Sequence, residues 1–198
     1  GNTIFCECDH VYFITNKKGL DELYNLMGTE KQKVKNVMIL GAGRVGSKLS
    51  KELSAQGLNI KLIEINEQKA NDIAEELPDL MVLNVDGRNL DLLVEENLEN
   101  MDAFISTSGD SETNIMSCMM AKSKKVKKTI ALVENMDYFN LSQSIGIDSL
   151  INKKLLAAND IFKFVRNGDI VELAMLNDMD AEIVEFIVNE NSKVLNKK

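Results

Sequence analysis

No apolar run in this 198-residue chain approaches the length of a membrane span, and no signal peptide is visible. Histidine occurs once, at His10, and proline once, at Pro78. A lone imidazole excludes multi-histidine zinc sets, and the lone proline reads as the stop of one helix. Cysteine is scarce and odd in number (Cys6, Cys8 and Cys118), which excludes a fully paired disulfide framework and points to reduced thiols. Basic residues are outnumbered, 23 against 31 acidic, and the net charge of −8 argues against nucleic acid as a partner. What remains is 44% hydrophobic and 27% charged, ordinary for a globular domain and enough for one good core. The chain opens on Gly1 without an initiator methionine, so it reads as part of a longer cytoplasmic protein.

From about Lys35 to Lys153, short apolar runs alternate with helical patterns. Strands are expected at Val37–Leu40, Ile60–Ile65, Leu80–Val85, Ala103–Thr107 and Thr129–Val133, with a sixth at Ser149–Ile151. Helices are expected at Val45–Ala55, Gln68–Leu77, Leu90–Asn97, Ser111–Ser123 and Tyr138–Ser144. This alternation predicts a parallel sheet covered on both faces. The ends differ. Thr3–Thr15 is strand-like with a turn near Cys8–His10, Leu20–Met27 is a short amphipathic helix, and Gly28–Lys33 a polar linker. At the other end a helix over Lys154–Arg166 precedes two strand patterns, Ile170–Leu176 and Ala181–Val188.

The most informative segment is Val37-Met38-Ile39-Leu40-Gly41-Ala42-Gly43-Arg44-Val45-Gly46, an apolar run ending in Gly-x-Gly-x-x-Gly before a helix. Uncapped backbone N–H groups at such a helix N-terminus, with the positive end of its dipole, suit a pyrophosphate. Gly41 permits the sharp turn, Gly43 leaves no Cβ between backbone and phosphate, and Gly46 allows close helix packing. Glu64 follows about 20 positions later, near the end of the next strand, placed to accept hydrogen bonds from a ribose. Its charge would repel a 2′-phosphate, favouring NAD over NADP.

Other features read more plainly. Cys6-Glu7-Cys8-Asp9-His10 sets two thiols on one strand face, yet lacks a second ligand cluster, so strand packing is favoured over metal binding. The one basic run, Lys122–Lys128, reads as a solvated helix end, with a docking patch for an acidic or membrane partner as the alternative. Met116, Met119 and Met120 are expected to fill core or a subunit interface. Asp110 is a candidate N-cap for the helix at Ser111. A dehydrogenase would need a proton donor opposite a nicotinamide, but His10 sits in the wrong segment and Cys118 inside a helix pattern.

Taken in order, several segments resemble the Trk-type potassium-uptake regulators, within the family of domains that regulate potassium conductance, and their second nucleotide-binding repeat in particular. They are Thr3–Thr15, Ile39–Gly46, Val85-Asp86-Gly87, Ser106–Asn114 and Glu172–Ser192. The resemblance implies a Rossmann-like doubly wound α/β domain over residues 34–153. It further implies the end of a preceding C-terminal subdomain at 1–33, and a crossover helix with the start of the next subdomain at 154–198. By the same resemblance, Gly41, Ala42, Gly43, Arg44, Val45 and Gly46 would bind the pyrophosphate and Glu64 the adenosine ribose. Asp86 and Gly87 would border the adenine, while Ser108 and Gly109 would face the cofactor's second half. The implied ligand is NAD⁺ or NADH, with ATP or ADP as the alternative, because Glu64 suits either ribose. A regulator with no catalytic residues is implied, peripheral at the inner face of the membrane. Its partners would be a membrane potassium channel or transporter subunit and further copies of itself, as dimer or tetramer. Where that family often carries an arginine late in the fifth strand, this chain has Leu132, which removes a cation from the nicotinamide side.

Overall fold

The computed structural model describes residues 4, 6, 11, 13, 15–27, 34–135, 137–138, 146–165, 170–175, 182–186, 188, 190, 192 and 194–195. Backbone contacts divide the chain into two compact units, Gly1–Val34 and Lys35–Lys198. In the first, helix α1 (Lys17–Leu26) is entered through Asn16, whose Oδ1 accepts the Gly19 N–H at 3.0 Å. It starts three residues earlier than the hydrophobic pattern predicts, because the side chain of Asn16 satisfies a first-turn donor. The strand pattern at Thr3–Thr15 and the linker fall largely outside the described residues, as do Cys8 and His10.

In the second unit six strands form one parallel sheet: β1 (Asn36–Leu40), β2 (Asn59–Glu64), β3 (Met81–Asn84), β4 (Ala103–Ser106), β5 (Lys128–Val133) and β6 (Ser149–Asn152). Their order is β3-β2-β1-β4-β5-β6, the doubly wound arrangement whose connections reverse direction between β1 and β4. All five pairings are parallel, and each predicted strand of this sheet is present to within one residue at either end. Val37, Met38 and Ile39 of β1 are at most 1% exposed, as a central strand with both faces covered requires.

The helices are α2 (Arg44–Ala55), α3 (Glu67–Glu76), α4 (Leu90–Glu95), α5 (Ser111–Ser123) and α6 (Lys153–Val165). Local chemistry sets their ends. Leu77 leaves the helical region just before Pro78, as a residue preceding proline does. α4 stops short of the expected Asn97 because Asn97 takes a left-handed conformation (φ 64°) before a short 3-10 turn at Leu98–Asn100. The helix expected at Tyr138–Ser144 lies outside the described residues from 139 to 145. Beyond α6, β7 (Ile170–Met175) and β8 (Glu182–Phe186) pair antiparallel as a separate two-stranded sheet.

One core holds the parallel sheet and its helices, built on Met38, Ile63, Phe104, Leu93, Leu98 and Val133, all fully buried. Ser50, on α2, is also fully buried, and its Oγ has no hydrogen-bond partner among the described residues. Of the two roles expected for the methionines of α5, core or subunit interface, core packing is seen for Met120 alone. Met116 and Met119 are 56% and 40% exposed, so they do not fill the core, while Met120 packs against it. α5 mixes apolar and polar residues around its circumference, and the sheet covers only the side that carries Ile115, Cys118 and Ala121.

Candidate functional site

At the carboxyl ends of β1, β2, β3 and β4 the connecting loops enclose a cleft of about 420 Å³. Open α/β sheets bind ligands at this point, where the strand order reverses. The floor is the glycine turn. Gly41 has φ +96°, a left-handed conformation that L side chains rarely adopt, and its N–H donates to Ile63 O at 2.8 Å. The Thr107 N–H donates to Leu40 O at 2.7 Å, and its hydroxyl donates to Leu40 O or Gly41 O, both 3.1 Å away. The turn is therefore held by a strand on either side.

Each glycine has its own reason. A Cβ on Gly46 would stand 1.8 Å from Gly41 O and 2.8 Å from Thr107 Oγ1, so α2 can cross the turn only with glycine there. A Cβ on Gly43 would project into open space at the cleft. Gly43 is also the N-cap of α2 and offers no side-chain cap. By contrast, α3, α4 and α5 are capped by Asn66, Asn89 and Asp110, as was expected for Asp110.

Glu64 ends β2, only 8% exposed. Its Oε2 accepts the Ala42 N–H and its Oε1 the Asn66 N–H, both at 2.9 Å. The carboxylate thus braces the glycine turn while lining the cleft, with lone pairs remaining for a further donor. Among the other expected residues, Asp86, Gly87, Ser108 and Gly109 all line the same cleft. Arg44 and Val45 point outward from the start of α2 and do not line it, and Ala42 contributes its backbone. Leu132 is 7% exposed and outside the lining.

Four residues escaped the sequence reading. Lys69, in the first turn of α3, and Arg88, two residues past Asp86, bring cations to the cleft. Arg88 pairs with Asp86 at 2.8 Å, and that side-chain hydrogen bond holds the Asp86 carboxyl below its ordinary value. Thr107 supports the turn. Asn114, 1% exposed, accepts from the Ser108 N–H (2.9 Å) and from the hydroxyls of Ser106 (2.8 Å) and Ser108 (2.7 Å). Its amide donates to Leu132 O at 2.7 Å and Ser108 O at 3.1 Å. Their signal in sequence was position alone: a polar residue one to eight places after a strand end.

The thiol of Cys118 is fully buried and donates to Ile130 O, and burial pushes its pKa up to about 12, which fits packing and not catalysis. In the basic run, Lys122 pairs with Asp148 (2.6 Å), Lys124 with Glu99 (3.3 Å) and Lys127 with Asp102 (3.9 Å). These pairs match the helix-end reading.

The family model of the TrkA-N domain matches residues 37–153. Similar curated proteins include "Trk system potassium uptake protein TrkA" of Haemophilus influenzae, 33% identical over 196 residues, covering 99% of this chain and 43% of that protein. A second, "TrkA homolog 2" of Methanosarcina mazei, is 30% identical over 190 residues, covering 96% and 42%. The chain therefore spans less than half the length of these relatives. Among solved structures, the TrkA-N domain of inner membrane protein ybaL from Escherichia coli superposes with a TM-score of 0.61 at 18% identity, covering 68% of this chain and 99% of that one. A GsuK channel described as bound to NAD gives 0.61 at 14% identity, covering 80% and 29%. The sheet order, the glycine turn and the extent of the family match agree, and the chain belongs to the TrkA-N domain family.

Proposed function

We propose that this chain is the nucleotide-binding part of a Trk-type regulator of potassium uptake, with NAD⁺ or NADH as its ligand. The observation that carries the reading is Glu64, fixed by the Ala42 N–H of the glycine turn at the mouth of the cleft. A ribose at that carboxylate puts the adjoining phosphates over the uncapped start of α2, where backbone donors and the helix dipole favour negative charge. Names of relatives and of a channel described as bound to NAD support the assignment.

In this reading residues 1–33 close a preceding C-terminal subdomain, and 154–198 open the next. Bound nucleotide favours one arrangement of neighbouring domains, and that difference in affinity biases a membrane potassium transporter at the inner face of the membrane. The chain acts as dimer or tetramer and turns over no substrate, so NADH incubated with a panel of carbonyl compounds is expected to remain unconsumed. Absorbance at 340 nm checks this.

The deciding experiment is calorimetric titration with NAD⁺, NADH, ATP and ADP, beside a Glu64→Ala variant whose fold is verified by circular dichroism. NAD(H) binding weakened at least tenfold in the variant is the expected result, since a charge-assisted ribose contact contributes about 1.5–3 kcal/mol. Preference for ATP or ADP would move the protein to energy sensing. Binding without any change in oligomer geometry or transport by the full-length protein would reject the gating role.

A further inference from the structure

Arg88 stands on the rim of the cleft, tied to Asp86 three times over. Its Nε donates to Oδ1 at 3.0 Å, its Nη2 to Oδ2 at 2.8 Å, and its backbone N–H to Oδ1 at 2.9 Å. Two edge donors held by one carboxylate fix the guanidinium plane and leave its flat faces available. The strand register fixes what lies beside it. Glu64 pairs with Asn84 across β2 and β3, while β1 and the glycine turn lie on the other side of β2. A nucleotide with phosphates on the turn and ribose on Glu64 must therefore extend its base toward residues 85–88. On that side Ile65, 59% exposed, offers an apolar surface to the same cleft.

We propose that Arg88 is the base-recognising residue of the site: its guanidinium, pinned by Asp86, stacks on the purine, with Ile65 on the opposite face. Asp86 is then a positioning residue that acts through Arg88. The inference rests on the nucleotide reading above. A phosphate contact fits the surroundings less well, because Asp86 neutralises the cation and Asp110 faces it from the next loop. Stacking needs the plane more than the net charge.

The test compares ADP with UDP, which differ in the base alone, by calorimetry at low and high salt, with NADH as reference. The expected result is a preference of this chain for ADP that falls about tenfold in Arg88→Ala, while UDP affinity hardly changes. Arg88→Lys fares no better, since an ammonium has no plane. Asp86→Asn weakens ADP binding only when Arg88 is present, so the double variant matches Arg88→Ala. Equal losses for ADP and UDP, or a loss that disappears in high salt, would overturn the proposal in favour of a phosphate contact. If this chain binds nucleotides and Arg88→Ala binds them equally well, this inference alone fails. If it binds none, the nucleotide reading fails and takes the inference with it.

Discussion

Asn114 shows how much of the cleft depends on one buried amide. Its five hydrogen bonds join the end of β4, the loop at Ser108 and the carbonyl of Leu132 on β5. Asn114→Leu keeps the branched shape, with bulkier methyl ends, but orphans several buried groups, each costing about 1–3 kcal/mol. We expect a loss of about 3 kcal/mol, read as a lower urea midpoint with an unchanged slope. Gly46→Ala is expected to be worse tolerated than Gly43→Ala. The first drives a methyl into the Gly41 carbonyl, whereas the second meets open space and should damage ligand binding more than stability. Thermal melts and nucleotide titration of the two variants check the contrast. The glycines and Glu64 were legible because chain-local spacing defines them. Asn114, Thr107 and Arg88 were not, because their roles arise from loops that meet only when parallel strands align.

Elements were legible where a single physical rule governs them. β1 and β2 read directly as apolar runs, and α3 as a pattern ended by Pro78. α5 was harder, since its apolar residues run around the whole helix and periodicity cannot say which side faces the sheet. The structure turns Cys118 inward and Met116 outward. Cys118 should therefore resist a thiol reagent at pH 8 in the native protein and react only on unfolding, which mass spectrometry of peptides after brief labelling would show. The tight turn after α5 places Lys125 at φ 66°, a strain with no sequence signature because lysine is not a residue that usually marks it.

For the molecule as a whole, acid is the expected weakness. Asp102, Asp110, Asp86 and Asp148 all titrate below the ordinary 3.8. For Asp102 the cause is the pair of N–H donors from Asn36 and Lys35, and for Asp110 its bonds to Thr113. For Asp148 burial pulls the other way, but Lys122 and Thr129 outweigh it. The unfolded chain takes up protons at these carboxylates first, so their stabilisation is complete above about pH 5 and fades as pH falls through the lower native values. Urea midpoints should drop between pH 5 and pH 2.5. Asp102→Asn should lower stability at neutral pH and narrow that drop.

That the sheet is parallel was legible from the alternation of strand and helix, whereas its strand order was not. β7 and β8 form a sheet of their own. Stability of the whole chain also has a reserve in an unlikely place. The orphan hydroxyl of Ser50 is carried at a cost, so Ser50→Ala should raise stability by about 1 kcal/mol. That would supply a hardened parent protein on which damaging cleft substitutions can be compared while every variant stays folded.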